Sequence, residues 1–130
     1  QAKEISSVNP YGGSNTYGGT GALSSWKRIY LSPGSTGSQL TYTTLKYGGN
    51  TYYEAALYVK QSSVQVSNLT ISNSAQSAIS SVNGTITGSN VTLSNNTYGF
   101  HIQTESCPTL TNVTITGGAT LHPSSFVCSF

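Results

Sequence analysis

One four-residue phrase returns at a fixed distance and limits what this chain can fold into. Asn68-Leu69-Thr70-Ile71 comes back as Asn90-Val91-Thr92-Leu93 and again as Asn112-Val113-Thr114-Ile115, with the same step of twenty-two between successive copies. A fixed period of this size means one small structural unit stacked on copies of itself. Inside each copy two aliphatic side chains alternate with a threonine, the period-2 pattern of a strand with one buried face. A unit of about 22 residues has no room for the crossover helix of a βαβ unit. No segment sustains the helical period of about 3.6 residues. The chain must therefore come back to the same place by short strands alone. The expected fold class is all-β: a single-stranded parallel β-helix, a solenoid of about four to five coils stacked ~4.8 Å apart. Each coil should hold three short strands and three corners.

Thr44-Leu45-Lys46-Tyr47, roughly one period upstream of the first copy, reads as a degenerate earlier one. That register places a corner at Thr43-Thr44 and turns Leu40, Tyr42, Leu45 and Tyr47 inward. Ile29 and Leu31 are inward on the strand before it. Later coils bury Val64, Val66, Leu69 and Ile71, then Ile86, Val91 and Leu93, then Leu110, Val113 and Ile115. Ala56-Leu57-Tyr58-Val59, Ala78-Ile79, Gly99-Phe100-His101-Ile102 and Leu121-His122 supply the remaining strand of successive coils. Residues 1–25 are expected to form an N-terminal strand, Ile5-Ser6-Ser7-Val8, and a Gly/Tyr-rich cap or loop. Residues 26–130 form the coils, with 116–130 as a C-terminal partial coil.

Composition narrows the partners. Net charge is +2 and charged residues are 6% of the chain. The basic residues Lys3, Lys27, Arg28, Lys46 and Lys60 do not cluster, so no nucleic-acid footprint is legible. Apolar runs are a few residues long, which excludes insertion into a membrane as a helix. Ser, Thr, Gly and Asn make up about half of the sequence, a bias that alone would suit disorder. The regularly spaced Val, Leu and Ile, with nine Tyr, argue for a packed core instead. Gln1 is either a processed N-terminus or an arbitrary boundary.

Trp26, Ile29-Tyr30, Gly34-Ser35-Thr36-Gly37-Ser38, Leu40, Tyr42, Leu45 and Tyr47-Gly48-Gly49 resemble the opening coil of secreted right-handed parallel β-helix repeat proteins of the pectate-lyase-like superfamily. The Ser-Asn-Leu-Thr-Ile-Ser-Asn phrase at 67–73 resembles that family's later coils. The resemblance implies right-handed winding and secretion. It leaves activity open, because the superfamily holds lyases, hydrolases, epimerases, adhesins and purely structural proteins. Relatives often carry Asp in these loops, and this chain has no Asp at all.

The residues able to do chemistry are few. The acids are Glu4, Glu54 and Glu105. Glu54 and Glu105 fall in loops two coils apart, so a carboxylate separation of roughly 10 Å is conceivable, but solvated loop carboxylates are the expectation and no catalytic residue is assigned. His101 and His122 are separated by about one period and should stack on adjacent coils. With only Glu105 nearby they fall short of a closed metal site, so no metal and no cofactor is expected. Cys107 and Cys128, separated in the same way, should reach each other across one coil and form a disulfide; the alternative is two free thiols, with Cys128 pairing to another chain. A disulfide implies an oxidising compartment, so the expected location is extracellular or at the cell surface.

Five Asn-x-Ser/Thr sequons occur, at Asn68, Asn83, Asn90, Asn95 and Asn112. At Asn68, Asn90 and Asn112 the expectation is an inward-stacked asparagine ladder, each amide donating to the next coil. Asn83 and Asn95 lie in loops and are the candidates for glycosylation. Thr70, Thr92 and Thr114 should form an outward ladder beside Ser67, Ser89 and Thr111. Thr suits any exposed strand position, and Lys46 is expected to interrupt this row in the first coil.

The expected function is a non-catalytic extracellular structural protein. It would be a subunit pairing with copies of itself, end to end or by strand pairing, into a surface filament or layer. The alternative is a carbohydrate- or ice-binding β-helix module, with surface glycans as partners. A third reading, a fragment of a polyuronide-active enzyme, would need carboxylates from outside this sequence.

Overall fold

A computed structural model describes residues 27–49 and 54–130. The expected strand at Ile5-Ser6-Ser7-Val8, the Gly/Tyr-rich cap, Trp26 and part of the turn before Glu54 lie outside the described residues. Strands β1 (Ile29–Leu31), β2 (Ser38–Lys46), β3 (Ala55–Lys60), β4 (Ser63–Ser72), β5 (Ser77–Val82), β6 (Thr85–Ser94), β7 (Tyr98–Ile102), β8 (Thr109–Thr116) and β9 (Ala119–Leu121) follow one another along the chain. All pairing among them is parallel. Each strand pairs with the one two places further on, giving the sheets β2-β4-β6-β8 and β1-β3-β5-β7-β9. The protein is thus a β-solenoid of about four turns, because chain-adjacent strands lie in different walls and only successive coils meet edge to edge.

The repeat phrase sets the register. Leu69 lies opposite Val91 and Val91 opposite Val113; Ile71, Leu93 and Ile115 align in the same way. Immediately before the first of these apolar positions, Asn68, Asn90 and Asn112 have φ of 53°, 57° and 56°. Few residues other than Gly, Asn and Asp visit this left-handed region without a steric cost. That is why asparagine returns with the period: it bends each long strand in its middle. A second line of left-handed corners, Tyr47, Asn73, Asn95 and Gly117, ends the same strands.

The first coil departs from the expected register. Thr43 lies opposite Leu69 and Leu45 opposite Ile71, a longer step than in the later coils. The first copy is therefore Tyr42-Thr43-Thr44-Leu45 and not Thr44-Leu45-Lys46-Tyr47. The corner is at Tyr42, with φ of 49°, and not at Thr43-Thr44. Tyr42 is 73% exposed, against its expected inward position, and Tyr47 is a half-buried corner residue. The cause is loop length. The link from β2 to β3 spans 47–54, whereas β4 reaches β5 through 73–76. Thr43 disguised the register because it occupies a core position, with its hydroxyl donating to the Thr41 carbonyl at 3.0 Å.

The interior is a set of stacked apolar rows. Leu45, Leu57, Val59, Val66, Leu69, Ile71, Ile79, Val91, Leu93, Phe100 and Ile102 are fully buried. Each such side chain contributes about 1.5–3 kcal/mol relative to exposure. Gly88 carries one close approach: a Cβ there would collide with the Val66 carbonyl. The last coil is different. Leu110, Val113, Ile115 and Leu121 are only partly buried against the core.

Candidate functional site

Three places bring chemistry-bearing residues together. The first is the outer surface at the Asn68 corner. Asn112 Nδ2 donates to Asn90 Oδ1 at 2.6 Å, and Asn90 Nδ2 donates to Asn68 Oδ1 at 3.2 Å. Asn68 Nδ2 donates in turn to Ser67 Oγ at 3.3 Å. The asparagines stack as a ladder, but it faces outward: Asn90 and Asn112 are exposed and Asn68 is half-buried. The left-handed corner swings each side chain away from the core, which corrects the inward placement. Beside it Thr44, Thr70, Thr92 and Thr114 fall in one register row. Lys46 aligns with Ser72 instead, so it does not interrupt the threonines. Thr41, Ser67, Ser89 and Thr111 form the row on the other side of the corner.

The buried asparagine is one the sequence left in a loop. Asn96 is 3% exposed; its Oδ1 accepts from the Ser74 N–H and its Nδ2 donates to the Ile71 carbonyl, both at 2.9 Å. It satisfies backbone groups of the coil before it. No copy of Asn96 recurs at the repeat spacing, so no period marks it. Asn83 and Asn95 are exposed at left-handed corners, and Asn95 Oδ1 lies where a Cβ on Gly117 would sit.

The second place is the outer face of the five-stranded sheet. The register runs Tyr30, Tyr58, Ser80, His101, and His122 continues the line. Tyr30 and Tyr58 meet edge to face at 5.6 Å, and the Arg28 guanidinium lies 4.5 Å and 4.9 Å from their ring centres. His101 and His122 are stacked at 3.9 Å with 19° between planes. Tyr98 meets the His122 ring edge to face at 4.7 Å. Gln103 Nε2 donates to Ser80 Oγ at 2.9 Å and to Glu54 Oε2 at 3.2 Å.

These contacts shape the electrostatics. Burial pushes the His101 imidazole below its ordinary range and the neighbouring His122 adds to this, while Glu54 pulls weakly the other way. Burial pushes the Tyr58 phenol up, with Glu54 adding to it. Ser80 is fully buried under Gln103, so it offers no accessible nucleophile. Glu54 is engaged by Gln103, and Glu105 stands exposed on the loop after β7. His122 Nδ1 accepts the Ser124 N–H at 3.0 Å, which places its proton on Nε2 and leaves no free nitrogen lone pair aimed outward. Among the described residues no group of three or more His, Cys, Asp or Glu side chains is gathered in ligand geometry.

The third place is the far end of the solenoid. Cys107 and Cys128 form a disulfide with Cα atoms 5.7 Å apart. The segment after β9 runs beneath the coil above: the His122 N–H donates to the Phe100 carbonyl, the Phe126 N–H to the Ile102 carbonyl, and the Ile102 N–H to Ser125 Oγ. Phe130 stacks on Phe100 at 4.1 Å. Phe126 and Val127 remain 44% and 89% exposed.

Beyond these, two adjoining shallow hollows of about 210 and 320 Å³ share Ser63 and Thr85 and are lined by hydroxyls, amides and backbone without a charged group. No family model, curated protein or solved structure matches this chain.

Proposed function

We propose that this chain is a non-catalytic extracellular structural subunit that stacks coil on coil with copies of itself into a surface filament or layer. One observation carries the reading. The outer edge of β8 pairs with no other described strand, and Val113 and Ile115 are half-buried where their register partners Val91 and Leu93 are fully buried. An unpaired parallel edge beside an incompletely covered apolar row is the surface that a further coil covers in a solenoid. A second copy carries a coil with the same repeat and so the same row of aliphatic side chains and backbone groups. Head-to-tail contacts of this kind do not close on themselves and produce an open fibre. The low charge removes a source of repulsion between copies. The Cys107–Cys128 bridge suits an oxidising compartment, and the likeness of the opening coil to secreted parallel β-helix proteins of the pectate-lyase-like superfamily points the same way.

Sedimentation velocity across a wide concentration range, with electron microscopy of the concentrated sample, tests this. The chain is expected to form larger, elongated species as concentration rises. Val113→Lys, at the half-buried edge, is expected to return it to a single small species; its thermal midpoint is expected to fall, because Val113 packs against the core, and a cooperative melt shows that the variant is still folded. A wild-type chain that stays monomeric throughout overturns the proposal.

A second reading, a carbohydrate-binding module, is favoured by the uncharged hydroxyl-and-amide lining of the two hollows, which suits neutral sugar hydroxyls. Binding on a glycan array that is lost in Gln65→Ala would support it, and a blank array would remove it.

A further inference from the structure

The segment beneath the last full coil is held by an unusual pair. His101 on β7 is 8% exposed and lies face to face with His122, the first residue after β9, at 3.9 Å. The segment C-terminal to that stack touches the coil above through contacts that include the Phe126 N–H on the Ile102 carbonyl, Ser125 on the Ile102 N–H and the Phe100 carbonyl, Phe130 on Phe100, Cys128 against the core, and the disulfide.

We infer that the His101–His122 stack is an acid-sensitive latch: two protons on it detach β9 and the segment after it from β7, uncovering a complete coil edge. The inference concerns regulation of the β8 edge and in that respect rests on the assembly reading above. The latch itself stands on geometry alone.

With both rings neutral, the stack is an ordinary aromatic contact. One proton on the pair is tolerated, because a cation over a neutral ring is attractive. The second proton sets two like charges face to face at 3.9 Å, one of them on the buried His101. The same ring anchors the turn that starts the terminal segment: His122 Nδ1 accepts the Ser124 N–H at 3.0 Å. The groups facing the pair are Tyr98 on β7 itself, Ser80 on β5, Tyr58 on β3, and Gln103 with Glu54 beside them. Glu54 is the carboxylate among these, and its attraction for charged His101 is smaller than the opposing effects of burial and His122. Gln103 occupies one of its oxygens.

Opening is local. The disulfide still tethers Cys128 to Cys107, so residues between β9 and Cys128 swing away as a closed loop and cannot be lost. With β9 detached, the lower edge of β7 is left unpaired. Together with the β8 edge, this is the whole floor of a coil.

The test is hydrogen exchange of the intact chain, read as protection relative to the unfolded rate at each pH, at about pH 7.5 and about pH 5. Peptides covering 119–127 are expected to lose about tenfold or more of their protection at the lower pH, while those covering β6 keep theirs. In His122→Gln, a half-buried site where the second charge cannot form, protection of 119–127 is expected to be the same at both pH values; His101→Gln gives an independent check. Equal protection in the wild type at both pH values overturns the latch, as does acid opening that persists in His122→Gln. Sedimentation in the same buffers separates the two proposals. Opening without any acid-enhanced association leaves the latch and removes its link to assembly. Association with a closed terminal segment removes the latch and leaves assembly.

Discussion

At the scale of single residues, Asn90 does two jobs that can be pulled apart. It holds a left-handed corner at φ of 57°, and it links the ladder by accepting from Asn112 and donating to Asn68. Asn90→Gly keeps the corner and removes the ladder, so it is expected to cost about 1 kcal/mol of unfolding free energy. Asn90→Ala loses both, and is expected to cost about 1–2 kcal/mol more. Urea unfolding of the two variants measures the difference directly. His101 sets a pH dependence on the same scale. Its affinity for a proton is lowered in the folded state by burial and by His122, so the unfolded chain binds that proton more readily. Stability from this group is therefore complete above the unfolded value of about 6.5. It falls as pH drops through the window beneath that value, and levels off once pH is below the lowered one. Thermal melts across this window are expected to show a falling midpoint in the wild type, and a flatter profile in His101→Gln.

At the scale of elements, the strands differ in how openly the sequence displayed them. β4, β6 and β8 were legible because an aliphatic pair, an asparagine corner and a threonine recur at an unvarying step, and because that step leaves no space for a helix. β2 was found with its register wrong by two positions. The aliphatic pattern aligns Leu45 with Leu69, whereas a buried Thr43 takes that place and Leu45 falls on Ile71; a longer loop changes the spacing of that coil. The disulfide was legible for the same reason as the strands, since one coil of separation brings two Cα atoms within bridging distance. The stacking of Phe130 on Phe100 was not, because a segment that leaves the period carries no signal in it. Asn96 and the Gln103 contacts were hidden likewise, each being a single polar side chain that acts across coils. The bridge should matter locally. Cys128→Ser is expected to destabilise the chain by about 3 kcal/mol, with the loss of hydrogen-exchange protection concentrated in β9 and the segment after it. Leu93→Ala, at a fully buried position in β6, is expected to cost about 2–5 kcal/mol and to loosen the neighbouring coils together.

At the scale of the whole molecule, each coil is stabilised by the coils it touches, and the edge coil is stabilised least. Along β8 the burial that completes the interior rows is absent, and uncharged hydroxyls and amides cover much of the surface beside it. The proposed function rests on that contrast between fully buried interior rows and a β8 edge that pairs with no other described strand. The most direct measurement is sedimentation velocity of the purified chain from dilute to highly concentrated solution, alongside Val113→Lys. The account predicts reversible growth into elongated species in the wild type, with none in the variant. A single monomeric boundary at every concentration, or equal growth in both proteins, would contradict it.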